Sequence, residues 1–296
     1  MTAEQESQVS SLLFEFLYVD SAKSRDKEAR VSNPKKLLGA VEYLDGGKSD
    51  GADTVYTYFN EDTNVRARFV SYSPEHSDEV GLAFEMEVPR PTFCAFEALP
   101  AALTVAREKR LSVEVLTDEG SVFYADPSFE ELLDEWRKAN ARAIKANGKT
   151  YCQGSAFLLE SMWEFALVRQ DLARRYGRQR VEVPELYTVM LKKGKKVGRM
   201  VDWDGLGRVA LGESDWIRLV DPPAPLTDGA IYPAEELTLA CKPLVRTVPQ
   251  PIFHYLCEKP KIATELAARI EPLKKMSMRS FEKVELDELF DDQGIL

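Results

Sequence analysis

The sequence predicts an α+β fold. An N-terminal tandem βαββ pseudo-repeat, with a mainly antiparallel sheet and helices on one face, precedes a smaller domain with a curled three- to four-strand sheet and helices. Three observations predict this. Leu12–Val19 reads LLFEFLYV, and near Gly81 the chain reads LAFEMEV; both alternate Glu with bulky apolar residues, the pattern of a strand with one wet face. Each run is followed by the same succession of patterns: helix, strand, strand. Beyond Asn147-Gly148 the pattern changes to a long apolar helix and then four short strands over about 35 residues, as in a small barrel. The expected divisions are a loose tail at 1–10, the tandem domain at 11–148, a mixed helix and small-barrel domain at 149–280, and an acidic C-terminal tail at 281–296.

In the first half, Asp20–Arg30 is charged and reads as an exposed connection. Asn33 then Pro34 open a helix, Pro34–Leu44, with Leu37, Leu38, Val41 and Leu44 on one stripe and Asp45-Gly46-Gly47 as its stop. Thr54–Phe59 and Val65–Tyr72 form a hairpin. Arg66 and Arg68 share one face of its second strand, either a solvated sheet face or an anion-binding one. After Val80–Val88, a helix is expected over Glu97–Arg110. Pro100 fits only a first turn, which puts the helix start near Leu99 and leaves Thr92–Phe96 extended. Ser112–Leu116 and Ser121–Tyr124 flank a tight Asp118-Glu119-Gly120 turn. Asp126-Pro127 caps a long helix, Ser128–Ala146, which Asn147-Gly148 ends.

In the second half, Ser155–Tyr176 is apolar around more than one stripe and reads as a buried helix. Strands are expected at Leu186–Leu191, Val197–Trp203, Arg208–Leu211 and Trp216–Val220. Proline-rich 221–229 is a connector. The clearest later helix is Lys261–Ile270, and Glu285–Phe290 forms one amphipathic turn or an acidic docking peptide.

No apolar run reaches the ~18 residues of a membrane span, and the polar N-terminus lacks the basic start and apolar core of a signal peptide, so no membrane contact and a cytoplasmic location are expected. Four scattered cysteines, without a CxxC pair, suit free thiols in a reducing compartment. The net charge of −10 is unevenly spread. Arg137–Arg199 carries about fifteen Lys and Arg against about five acids, which leaves the remainder near −20. Charge separated in this way can bring the two parts together or recruit an acidic partner.

Several stretches carry residue types with chemical potential. Cys152, in Tyr-Cys-Gln-Gly-Ser before an apolar helix, occupies a place where the helix dipole lowers a thiol pKa. The placement is similar to that of the nucleophile in papain-type cysteine hydrolases, and that resemblance makes the later His254 the base. Cys241, His254 and Cys257 form C-x12-H-x2-C, three of the roughly four ligands a zinc site needs; a packed histidine is the alternative. Asp202-Trp203-Asp204-Gly205 reads as a turn, with too few oxygens for calcium. No phosphate-binding GxxxxGK[ST] loop is present, and Gly205-Leu206-Gly207 lacks the third glycine of a dinucleotide site, so no cofactor is expected. The basic set Arg174, Arg175, Arg178, Arg180, Lys192, Lys193, Lys195, Lys196 and Arg199, with Tyr187 and Trp203 nearby, suits nucleic-acid phosphates or an acidic partner. With no metal site and few histidines, the leading expectation is a non-catalytic protein–protein interaction module: an adaptor, inhibitor or regulatory subunit. The alternatives are a nucleic-acid-associated accessory protein and a cysteine hydrolase.

Overall fold

A computed structural model describes residues 10–18, 34–76, 78–117, 120–147, 151–259 and 261–295. The expected tail at 1–10 (except Ser10), the Asp20–Arg30 connection, the Asn33 cap, the Asp118-Glu119 turn residues and the Gly148 stop lie outside the described residues. The chain divides into two compact units, Met1–Tyr151 with Phe290–Leu296, and Cys152–Leu289. The architecture is mixed α+β.

Unit 1 is a seven-stranded antiparallel sheet built from β1 (Ser10–Tyr18), β2 (Lys48–Asp50), β3 (Asp53–Asn60), β4 (Val65–Ser71), β5 (Glu79–Val88), β6 (Leu111–Thr117) and β7 (Gly120–Tyr124). Their order across the sheet is β2-β3-β4-β5-β1-β6-β7. Helices α1 (Thr92–Lys109) and α2 (Phe129–Asn147) pack on it and on each other. Strand alternation separates the two faces. Tyr56, Phe69, Phe84, Phe14, Val115 and Val122 form one cross-strand row on the helix side, and Phe14, Phe69, Phe84 and Val115 in it are fully buried. The Phe69 and Phe84 rings stand 4.8 Å apart, and those of Phe14 and Phe84 5.9 Å. Burying such side chains contributes roughly 1.5–3 kcal/mol each.

The two halves of this sheet are not copies. β1 and β5 are antiparallel neighbours at its centre, as a twofold pair would be. Their followers differ. β6 lies beyond β1 and runs parallel to β5, so β5-α1-β6 is a helical crossover over β1. β3 runs antiparallel to β1 and is separated from β5 by β4. The expected first helix is a short 3-10 segment, Pro34–Ala40, against eighteen residues in α1. Identical alternation in two strands reports their wet face, not the path of the chain between them.

Two helix starts also differ from expectation. α1 begins at Thr92 and holds Pro100 in its interior. Its first two turns bury Phe93, Cys94, Ala95, Ala98 and Leu99, and that burial outweighs the ~3 kcal/mol cost of an internal proline. α2 is capped by Ser128 rather than Asp126. Ser128 Oγ accepts from the Glu131 amide at 3.2 Å, and Glu131 accepts from the Ser128 amide at 2.9 Å, a capping box.

Unit 2 contains β8 (Cys152–Gly154), α3 (Ala156–Tyr176), β9 (Leu186–Leu191), β10 (Lys196–Asp204), β11 (Val209–Gly212), β12 (Trp216–Val220), β13 (Ala230–Pro233), α4 (Ala234–Ala240), β14 (Arg246–Val248), β15 (His254–Cys257), α5 (Ala263–Ile270), β16 (Met276–Ser277) and β17 (Phe281–Lys283). The four expected strands are present but are divided between two sheets. β10 and β12 pair in parallel within a six-stranded sheet, β16-β13-β12-β10-β9-β17. β11 leaves to pair with β15 in a separate three-stranded sheet, β11-β15-β14. Val201, Trp203, Ile217, Leu219, Tyr232, Leu237 and Ile270 form its main core.

The expected acidic tail is folded. Phe281 is buried and Phe281–Lys283 pairs with β9. A 3-10 turn, Leu286–Glu288, follows, closed by reciprocal contacts of Glu285 and Glu288. In unit 1, Asp291 is buried and accepts from the Thr92 amide at 2.6 Å and the Thr92 hydroxyl at 2.8 Å. It caps α1 from the far end of the chain.

Candidate protein-interaction face

The helices cover one face of the unit 1 sheet. The other carries charge. In cross-strand order it presents Phe123 on β7, Glu114 on β6, Glu15 on β1, Ala83 on β5 and Val70 on β4. Arg68 on this face is ion-paired with Glu85 at 3.1 Å, and Arg66 lies over the Phe59 ring at 4.6 Å, so neither arginine is uncommitted. Leu17 pairs with both Ser112 and Glu79, which brings Glu79 toward Glu15. Burial, then the Glu79 and Glu114 carboxylates, raise the Glu15 pKa above its ordinary value. The phenol of Tyr72 is raised by burial and by Glu15 and Glu79 beside it.

The two edges of the sheet differ. β2 is three residues long, fully exposed, and carries Lys48 and Asp50. Short charged strands of this kind block further pairing. β7, Gly120–Tyr124, has no charged residue. Its outer side has no strand partner among the described residues. Val122 and Phe123 on it are 38% and 56% exposed. Thr117 and Gly120 close the hairpin and pairing then alternates, so Val122 and Tyr124 bond inward to β6 while Ser121 and Phe123 turn their backbone groups outward. By sequence, Asp118, Glu119 and Asp126 bracket the strand. Unit 1 carries about −11 and unit 2 about +1 of the chain's −10.

The residues singled out from sequence are dispersed within unit 2. Cys152 is half-buried on β8 with its Sγ 3.9 Å from Met190 Sδ. Burial, then Glu288 and Glu282, raise its pKa, the opposite of an activated thiol. His254 is fully buried; its Nδ1 is 2.8 Å from the Ile252 carbonyl and its Nε2 2.9 Å from Tyr176 Oη. Nδ1 therefore carries the proton and Nε2 accepts from Tyr176. Tyr176 ends α3 whereas Cys152 precedes its start, and a 21-residue helix is about 30 Å long. The pair does not form a dyad. Cys241 and Cys257 share the main core while His254 points to the other side of β15, toward Tyr176. Among the described residues no group of three or more His, Cys, Asp or Glu is placed to hold a metal ion.

The basic stretch is divided. Arg174 and Arg175 end α3, and Arg178 and Arg180 follow in an exposed 3-10 turn and its cap. Arg174 is ion-paired with Asp171. Lys192, Lys193, Lys195 and Lys196 form the exposed tip between β9 and β10. Arg199 is buried, with Nη1 2.6 Å from Ser161 Oγ and its backbone amide 2.8 Å from Asp215. It anchors β10 to the start of α3, about 20 Å along the helix from Arg174. Trp203 is buried, its indole N–H donating to the Gly207 carbonyl at 3.0 Å, and is not a stacking platform. Asp202 accepts from Tyr187 at 2.7 Å and pairs with Arg218.

The sequence patterns taken up first do not single out β7. The available signal was an uncharged GSVFY between acidic residues, the reverse of how edge strands are usually guarded. No family model, no curated protein and no solved structure matches this chain.

Proposed function

We propose that the chain is a non-catalytic protein-interaction module in which β7 accepts an extended, basic segment of a partner as an additional strand. One observation carries this reading: β7 is an uncharged edge strand with exposed Val122 and Phe123 and outward backbone groups at Ser121 and Phe123, on a sheet whose other edge is guarded. Strand addition draws affinity from main-chain hydrogen bonds and selectivity from alternate side chains. The charge around β7 sets the sign of the partner. Unit 1 is strongly acidic, and Glu114 lies directly opposite Phe123. A second copy of the chain would bring the same acidic brackets against these, so Lys- or Arg-bearing strands are preferred.

A random-peptide display selection on the full chain tests this. Enriched peptides are expected to be β-branched and basic, and to bind wild type. Phe123→Pro removes an outward amide and the phenyl ring but no bond to β6. It is expected to weaken binding at least about tenfold with the melting temperature nearly unchanged. Absence of enrichment, or equal binding by Phe123→Pro, overturns the reading.

A further inference from the structure

The cations that gather where α3 ends outnumber the carboxylates that meet them. Arg175 lies in the last turn of the helix, Arg178 in the 3-10 turn Gly177–Gln179 that continues it, and Arg180 caps that turn. Arg175 and Arg178, three residues apart on one helical path, are neighbours at about 5–6 Å between their Cβ atoms. Arg208 joins them. Its guanidinium donates to the Gln179 carbonyl, and its own carbonyl accepts from the Glu182 amide at 3.0 Å. Arg246 approaches from β14. It stands opposite Leu256, which packs with Tyr176 in one core cluster, so Arg246 is on the α3 side of the β11-β15-β14 sheet. Arg175 and Arg246 both bear on His254, whose Nε2 meets Tyr176 at 2.9 Å.

The acids nearby are few and mostly taken. Asp171 pairs with Arg174, and Glu258 with Arg246 at 3.4 Å. Glu182 sits between Val181 and Val183, which both pack toward α3, so its side chain turns away. Among the described residues Arg175, Arg178, Arg180 and Arg208 have no carboxylate partner, and Arg175 lies over the Tyr176 ring at 5.8 Å. The negative end of the α3 dipole offsets only about half an elementary charge. The remaining like charges repel until an anion joins them. Their chemistry narrows that anion. Guanidinium forks match phosphate oxygens bidentately. A phosphate chain gathers several charges within a few ångströms, as these arginines do, whereas an acidic strand sends successive side chains to opposite faces. A long polyanion would carry its charge past the cluster of a chain whose net charge is −10.

We propose that Arg175, Arg178, Arg180 and Arg208 form a receptor for a compact polyphosphate, either a free phosphate chain or that of a nucleotide. The site lies in unit 2 and does not depend on strand docking at β7.

Titration calorimetry of the full chain with tripolyphosphate at low salt tests this. Saturable binding is expected at submillimolar concentration, weakening as salt rises. Arg178→Gln with Arg180→Gln is expected to weaken it at least about tenfold. The melting temperature should stay nearly unchanged, because neither side chain has an ion pair to lose. Lys192→Gln with Lys193→Gln, at the β9–β10 tip, removes the same charge and is expected to alter binding less than about twofold. ATP that binds more tightly than tripolyphosphate identifies a nucleotide as the source; equal or weaker binding identifies a free phosphate chain. Absence of saturable binding, equal binding by the arginine variant, or an equal loss in the lysine variant overturns the receptor. So does tight binding of the wrong anion: tricarballylate held as firmly as tripolyphosphate would make carboxylates the ligand, and a single-stranded decanucleotide held more firmly would make it nucleic acid.

Discussion

Asp291→Ala tests whether the last residues hold unit 1 together. The carboxylate is 1% exposed and receives two bonds from Thr92, at 2.6 Å to the amide and 2.8 Å to the hydroxyl. Thr92 is the first residue of α1 and is itself 2% exposed. Removing the acceptor leaves both donors buried. Loss of a helix cap costs about 1 kcal/mol, and a buried donor stranded without its charged acceptor costs about 1–3 kcal/mol. These overlap, so the net loss is about 2–3 kcal/mol rather than their sum. The assay is native-state hydrogen exchange at α1 amides, because tryptophans in both units mix a fluorescence signal. At about 1.4 kcal/mol per factor of ten, α1 amides that exchange through unfolding should exchange about 30- to 150-fold faster. Asp291→Asn keeps one acceptor oxygen and should lose less. Exchange within threefold of wild type in Asp291→Ala would refute the capping argument, and with it the view that the C-terminal segment is a structural part of unit 1.

Two further outcomes concern unit 2. A Cβ added to Gly198 would stand 2.5 Å from the Trp216 ring, so Gly198→Ala should cost about 1–3 kcal/mol in urea unfolding followed at unit 2 amides; an unchanged midpoint would show that Trp216 moves freely. Burial, aided by Arg175 and Arg246, lowers the His254 pKa, although the Ile252 carbonyl opposes the shift. The folded state thus binds this proton less readily than the unfolded state. Stability should fall as pH drops from the ordinary imidazole value, ~6.5, toward the lowered one, and level off below it. Comparing urea midpoints from pH 7.5 to 5 at unit 2 amides, His254→Gln should lack this component; identical profiles would remove the assignment.

Local pattern found most elements of this chain. Alternation located β1, β5 and β9–β12 to within a few residues, because strand faces are written in adjacent letters. The misses were tertiary. Pro100 reads as a helix start by any local rule, yet what decides the start of α1 is the burial of Phe93–Leu99 and a cap supplied by Asp291, 199 positions away. The acidic C-terminal run reads as a solvated tail because its anchors, Phe281 and Asp291, are single residues amid charge. Arg199 sits in a basic run, and only the fold shows that Asp215 and Ser161 claim it. Cys152 and His254 were plausible by order alone; the length of α3 separates them.

The departure from a true repeat is what makes the proposed surface singular. Two copies of a βαββ unit joined through β1 and β5 would leave two equivalent edges. Here β4 lies inside β3, and the first half extends outward to the charged β2. Among the described residues the second half stops at β7 without a guard. One open edge admits one added strand and no continuation, whereas two equivalent open edges would let the sheet propagate from molecule to molecule. The acidic residues beside β7 act in the same direction, disfavouring a second acidic copy and favouring a basic strand. If Lys48→Val with Asp50→Val on β2 produced concentration-dependent oligomers that Phe123→Pro abolished, both edges would be shown to pair, and the guard on β2 would be what keeps the chain from self-association.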